Sequence, residues 1–461
     1  MKISALVLGM GLLLLPATGA SALASSVPAP ASPAAAEVSS DPTIINQATS
    51  ATAPLSVAAV LTASRIGGTE PTVSVNPDNG YIAVASQHIA WPRLCSRSSV
   101  TISRDGGRTW AAQYHPMGSR CEDIHAVVAW GPNNRLWFGD ALALARHRMV
   151  MSVSYSDNFG VSWSHFYSET FTPGWVGCFP MLIVDNEPMS PAYGTVYVAY
   201  NWLAGRAGPG LHIMAKPLNG AWSAVEVPVV GLAGYSAHNR IGYRLEPIAG
   251  GLTAVWYESD LRRFPSDILI DGASRNIGRV GFATASLSWS AGKLVVGPSS
   301  WARTVSATTN LLKDPRWQYQ IAADYTPTPG YSALGLSTST WLAVSDGRGG
   351  ILVGNQQTGS AWAWRRLGTG FHPVIAIERA DTGRQVIFVG WHAGAIVCNY
   401  YTLSYDGGLT WTPVAQAGST WRVPRVINGA GLRENAVFGN GRFVWAFGTS
   451  ATTSQVLTIR P

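Results

Sequence analysis

The sequence predicts an all-β protein, a propeller of four-stranded blades, with seven blades favoured and six as the alternative. Three observations lead there. An eight-residue run of turn-forming residues closed by Trp occurs three times. Pairs of short, alternating apolar stretches recur along the chain at blade-like spacing. The composition is that of short strands joined by tight turns, since only 12% of residues are charged while there are 49 Gly and 19 Trp.

The N-terminus is read first because it is set apart from the fold. Met1-Lys2 gives a short positive start, Ile3 to Pro16 is almost unbroken apolar sequence, and Ala22-Leu23-Ala24 is a small-x-small pattern. Together they predict a cleaved export signal over residues 1–24 and a secreted, extracellular protein. The apolar run falls short of the roughly 20 residues a membrane helix needs. Residues 25–54 are dominated by Ala, Pro, Ser and Thr, a composition too poor in apolar side chains to offset ordering entropy, and read as a flexible tether. Residues 55–461 are expected to form one propeller domain.

The three gapless copies are Ser103 to Trp110, Ser156 to Trp163 and Ser404 to Trp411, sharing Ser-x-Asp/Asn-x-Gly-x-Ser/Thr-Trp. The Asp or Asn (Asp105, Asn158, Asp406) accepts hydrogen bonds from turn amides, and the Gly takes a left-handed backbone position. The Trp (Trp110, Trp163, Trp411) then opens the next strand and packs under the hairpin. Alternating strands precede each copy and follow it, and four strands repeated roughly every 45 to 60 residues make propeller blades. Blades are expected near 69–117, 121–170, 178–229, 238–305, 317–369 and 371–416. A last three-stranded unit over 431–461 is completed by the strand Leu55 to Ser64, which closes the ring and removes its free edges. Asn219 to Trp222 and Thr358 to Trp362 are worn copies of the turn.

This pattern is the Asp box, or bacterial neuraminidase repeat, and across nearly all of residues 55–461 the chain resembles the sialidase-like propeller superfamily. The resemblance implies that the boxes are structural, lying in the turns between third and fourth strands, opposite the ligand mouth. It also implies an activity among glycosidases, polysaccharide lyases or non-catalytic secreted propellers. True sialidases carry an aromatic-Arg-Ile-Pro motif before the first blade. This chain has Ser64-Arg65-Ile66-Gly67 there, keeping Arg-Ile and losing both flanks, so an exo-sialidase is not expected.

The mouth is built from the starts of innermost strands and the loops between second and third strands. Candidate catalytic carboxylates there are Asp123, Glu258 and Glu434, with Glu70 in reserve. Arg240 and Arg433 are candidates to hold an acidic sugar, His125 and His372 to hydrogen-bond or transfer protons, and Trp202 and Trp317 to stack on sugar rings. Gln87-His88, Asp140, Tyr200 and Trp391-His392 are read as mouth loops. Polar residues at strand starts also satisfy backbone groups around any propeller channel, so each has a capping role as its plain alternative.

Of four cysteines, Cys95 and Cys121 fall on the same mouth in neighbouring blades, where a disulfide is plausible in an exported protein, whereas Cys178 and Cys398 lie on non-adjacent blades and are not expected to pair. No cysteine or histidine spacing fits a metal, and no cofactor is expected. The net charge of +7 rests almost wholly on Arg, since the lysines are Lys2, Lys216, Lys293 and Lys313. Guanidinium suits carboxylates and phosphates, though a GC-rich coding sequence gives the same bias. With no Lys/Arg block and with export, nucleic acid is not an expected partner. The expected partner is a glycan or polysaccharide, acidic ones included, met by a monomer. A glycoside hydrolase or lyase and a non-catalytic glycan- or protein-binding propeller stand as the two competing functions.

Overall fold

Alternating apolar residues bounded by Gly, Pro, Asn and Asp fold here into short strands, and every regular element among the described residues is a strand. The computed structural model describes residues 59–461 except 91–94, 112–113, 115, 117–122, 145–147, 171–176, 189, 203–209, 228–237, 249–250, 262–276, 306–320, 327–338, 346–349, 358–361, 379–385, 395, 423–433 and 451; in several strands it describes the backbone alone. The expected export signal and tether lie outside the described residues.

Among the described residues seven antiparallel sheets form, each a meander in chain order. β1 (Ala59–Gly67) comes first in the chain but belongs to the last sheet. Sheet one is β2 (Thr69–Val75), β3 (Ile82–Ala90) and β4 (Cys95–Ser103). Sheet two is β5 (Asp123–Trp130), β6 (Leu136–Leu144), β7 (Arg148–Ser156) and β8 (Ser164–Thr170). Sheet three is β9 (Gly177–Val184), β10 (Val196–Trp202), β11 (Gly210–Lys216) and β12 (Ser223–Val227). Sheet four is β13 (His238–Ile248), β14 (Gly251–Leu261), β15 (Ile277–Ser290), β16 (Lys293–Val296) and β17 (Ser300–Val305). Sheet five is β18 (Ile321–Thr326), β19 (Ser339–Ser345), β20 (Gly350–Gln357) and β21 (Ala363–Thr369). Sheet six is β22 (Phe371–Ile377), β23 (Ile387–Ala393), β24 (Ile396–Ser404) and β25 (Ala415–Arg422). Sheet seven is β26 (Glu434–Gly439), β27 (Arg442–Gly448) and β28 (Thr453–Arg460), with β1 antiparallel to β28 from Ala59–Arg460 to Gly67–Thr453. The fold is an all-β propeller with seven blades rather than six, and β1 supplies the fourth strand of the last.

The four-stranded rule bends twice. In sheet one the fourth position is represented, among the described residues, by the bridge Val100 to Tyr114. In sheet four β16 and β17 lie one after the other along the 14-residue β15, so they are one outer strand interrupted at Gly297. Innermost strands pack in succession: β2 on β5, β5 on β9, β9 on β13, β13 on β18, β18 on β22, β22 on β26, and β26 again on β2.

The core is a set of layers between neighbouring sheets. Phe388, Phe443 and Trp445 fill the layer between sheets six and seven, and Val73, Val84, Val444 and Val456 the one between seven and one. Polar side chains stitch the same seams. Asn435 on β26 accepts the Val73 N–H at 2.7 Å and donates to the Val73 carbonyl at 3.0 Å.

The three repeat turns share one network. Ser103 donates to Asp105 and accepts from Gly107 N–H, while Asp105 accepts from the N–H of Arg108 and Thr109 and from the Thr109 hydroxyl. Ser404, Asp406, Gly408 and Thr410 repeat this. In the Asn158 turn one bond runs the other way, the amide Nδ2 donating to Ser162 Oγ at 2.8 Å. A hydroxyl serves either way, which is why Asn replaces Asp there.

Each repeat Trp packs toward the preceding blade: Trp110 into the layer between sheets seven and one, Trp163 between one and two, Trp411 between five and six. Trp222, from a worn copy, does the same between sheets two and three. The repeat Gly follows suit. Gly107, Gly160 and Gly408 have φ of 91°, 82° and 86°, and their missing Cβ atoms face Thr458, Tyr114 and Trp341 of the preceding sheets. The pattern is therefore a lock between blades as well as a hairpin turn.

Candidate functional site

In an antiparallel meander the start of strand one, the end of strand two and the start of strand three share an edge, and the turn from strand three to four lies at the opposite one. The repeat turns follow β4, β7 and β24, the third strands of their sheets, and so mark the far edge. The sequence-predicted residues fall at the near edge. Asp123 opens β5 and faces Leu142 near the end of β6. Glu434 opens β26 across from Phe447. Trp202 ends β10 across from Gly177. Arg240 and Glu258 lie directly opposite each other in the β13–β14 ladder, a pairing the sequence alone did not reveal.

For Asp123, Arg240, Glu258, Glu434, Trp202, Glu70 and Cys95 the structure describes the backbone only, while Cys121, Trp317 and Arg433 lie outside the described residues. The expected Cys95–Cys121 bridge therefore falls outside them as well. Cys398 is a thiol rather than half of a disulfide. Arg65, the remnant of the sialidase motif, is exposed on β1, the outermost strand of its sheet.

His125 and His372 are described in full. Both are nearly buried, at 7% and 8% exposure, and both have left-handed φ, 57° and 50°. They occupy the same place. The β5–β6 ladder jumps between Ile124 and Val127, setting His125 and Ala126 against Asp140 alone. The β22–β23 ladder jumps between Phe371 and Val374, setting His372 and Pro373 against Trp391. Ladder jumps of the same form set Glu70 and Pro71 against Ser86, and Phe179 and Pro180 against Tyr200. Four innermost strands thus carry a bulge of this form at their second or third residue, near the edge. A bulge re-aims side chains and bends a strand, and a non-glycine residue held left-handed costs ~1–3 kcal/mol, a conformation that concentrates at functional sites. At three of the four the signal in sequence is Pro just inside a strand start (Pro71, Pro180 and Pro373), where a missing N–H is tolerated because the bulge leaves it unpaired.

Several residues read as mouth loops are corrected by the structure. Gln87 and His88 lie within β3, Asp140 within β6, Tyr200 within β10, and Trp391 and His392 within β23. Pairing runs further toward the near edge than their polar character implies. Trp391 and Tyr200 belong to the core layers, and His392 stacks on Trp445 at 5.1 Å between ring centroids. Asp140 is fully buried opposite the His125 bulge, flanked in the ladder by Ser152 on β7. It joins the candidate carboxylates on that ground.

Among the described residues, no group of three or more His, Cys, Asp or Glu is placed to hold a metal, and no helix is long and apolar enough to cross a membrane. Fold and near edge together define a seven-bladed propeller with a polar, strained rim on its innermost strands.

No family model matches the chain, and no curated protein does. Solved structures similar to it include a Hadza microbial sialidase, with 12% identity over 84% of this chain and a TM-score of 0.42; the chain spans 65% of that sialidase's length. An α-L-arabinofuranosidase from Fusarium graminearum is 9% identical over 87% of this chain and 98% of its own, with a TM-score of 0.47. An ulvan lyase is 10% identical over 85% of this chain and 95% of its own, with a TM-score of 0.46. At such identities the likeness says nothing about which residues react.

Proposed function

We propose that this chain is an exported propeller that acts on glycans, a glycoside hydrolase or lyase whose mouth is the near edge of the innermost strands. The observation that carries the reading is the placement of Asp123, the Arg240–Glu258 rung and Glu434 at that edge of their sheets, the edge at which the strained His125 and His372 also lie. A hydrolase divides acid and base or nucleophile roles between two carboxylates about 5 Å apart if retaining and about 6.5–9.5 Å if inverting. A lyase needs a base beside a cation that steadies the uronate carboxylate. Asp123, Glu258 and Glu434 are the acid and base in this reading, Arg240 and Arg433 hold an acidic sugar, and His125 and His372 assist in proton transfer. Trp202 and Trp317 stack on rings. The repeat turns are Asp boxes of the sialidase-like kind, residues 1–24 direct export, and a Cys95–Cys121 bridge braces the rim.

The second reading is a non-catalytic glycan-binding propeller. It is favoured by Arg65, which stands exposed on an outer strand instead of at an innermost one. A panel of sialosides, uronic-acid polysaccharides and neutral glycans, assayed for released sugar, separates the two. Release that disappears in Asp123→Asn, Glu258→Gln or Glu434→Gln supports the enzyme. Binding without release supports the module, and neither binding nor release from any glycan ends both readings.

A further inference from the structure

At the far edge, between sheets one and seven, lies a cavity of about 390 Å³. Four arginines reach it: Arg104 and Arg108 from the first repeat turn, Arg442 from the start of β27 and Arg460 from the end of β28. One carboxylate lines it, that of Asp105. That carboxylate is already committed to its own turn, where the Thr109 hydroxyl and N–H bonds chiefly hold its pKa down to about 2.

None of the four guanidinium groups has an ion-pair partner among the described residues, where the one salt bridge is Arg135 to Asp157 at 2.7 Å. That pair is an internal contrast. Asp157 sits second in its repeat and neutralises a neighbouring arginine, whereas the first repeat has Arg104 at the matching position. The cluster is also built. The guanidinium of Arg442 occupies the space beside Gly106, its Nη1 1.9 Å from where a Cβ would be, and the side chain of Asn440 fills the same space beside Gly80. Arg104 is held over the rings of Tyr81 and Phe159, 5.7 and 5.5 Å from their centroids.

We propose that this cavity is a binding site for a sulfate or phosphate group, carried as an ester on a small unit such as a sugar. Guanidinium forks arriving from separate strands offer donors in several directions, which suits a tetrahedral oxyanion with three or four acceptor oxygens. The cavity is at the small end of ligand pockets, roughly 300–1,000 Å³, and admits more than a bare ion. Four guanidinium charges set against the single Asp105 carboxylate leave an excess of like charge that repels, and a bound anion relieves this. The site is independent of the mouth and of any reaction there.

Calorimetric titration of the full chain at low salt with glucose 6-sulfate, glucose 6-phosphate, glucuronate and glucose tests it. Saturable binding of the sulfate or phosphate ester is expected, at least tenfold weaker in Arg442→Gln and in Arg104→Gln and unchanged in Arg135→Gln, with melting curves confirming that each variant is folded. The pH profile separates the two anions. Sulfate ester affinity stays flat from pH 5 to 8, while phosphate ester affinity rises as its second proton leaves near pH 6. No saturable binding of either ester, equal binding of glucuronate, or binding that survives both arginine substitutions would overturn the proposal.

Discussion

Replacing Gly408 by alanine probes the lock between blades five and six. Gly408 holds φ at 86°, and an added Cβ would fall 2.2 Å from Cη2 of Trp341, a buried indole in the layer between those sheets. Two costs combine. An L-residue held left-handed loses ~1–2 kcal/mol, and forcing a methyl into a filled layer loses about 1–3 kcal/mol more. Gly292, with φ of 75° and nothing within 4 Å of its would-be Cβ, carries the first cost alone. Urea unfolding should therefore place Gly408→Ala below wild type by about 2–5 kcal/mol, and below Gly292→Ala by the packing share of about 1–3 kcal/mol. Pairing Gly408→Ala with Trp341→Leu makes a double-mutant cycle in which the second change relieves the first, with coupling above about 1 kcal/mol. Equal losses at Gly408 and Gly292, or strict additivity with Trp341→Leu, would refute the idea that the repeat glycine is there to admit a neighbour's side chain.

Acid should loosen the repeat turns. Hydrogen bonds from Thr109, Ser103 and Arg108 lower the Asp105 pKa to about 2, and at Asp406 the bonds from Thr410 and Ser404 outweigh burial, which alone would raise it. A carboxylate with a folded pKa below its unfolded value of about 3.8 contributes fully above that value and loses the contribution as pH falls toward 2. Melting temperature should accordingly drop between pH 4 and 2, and less steeply in an Asp105→Asn, Asp406→Asn double variant; identical slopes would remove these carboxylates from the account. Asn435→Ala should cost ~2–4 kcal/mol, because Val73 is buried and would lose a partner for both its N–H and its C=O. Hydrogen exchange at the Val73 amide reads this directly, and unchanged protection would show that the clasp between sheets seven and one is redundant.

What sequence made legible here was whatever a local pattern dictates. Ser-x-Asp-x-Gly-x-Thr-Trp closes its own hydrogen bonds within eight residues, so its three copies located three turns and the edge of the blade they mark. The strand before the first blade was legible too, because a lone apolar stretch facing a three-stranded unit leaves little other pairing. β1 runs Ala59–Gly67, a few residues beyond the expected Leu55 to Ser64. The mouth was legible only as to edge. Asp123, Glu258 and Glu434 stand at that edge of their strands because strand direction alone decides it. Which polar residue is bent toward a channel and which is absorbed into a layer depends on register. His392 and His372 lie on adjoining strands, yet one is stacked on Trp445 between blades while the other sits left-handed on a bulge. Alternation predicts neither, since a bulge is a one-residue slip that reverses every face beyond it. The Arg cavity was hidden for a related reason. Arg104 and Arg442 are 338 positions apart in number and line one cavity because sheet one packs on sheet seven, β2 against β26 and β27. That packing brings together two turns that no local pattern connects, and the excess positive charge lies at the seam between the two sheets.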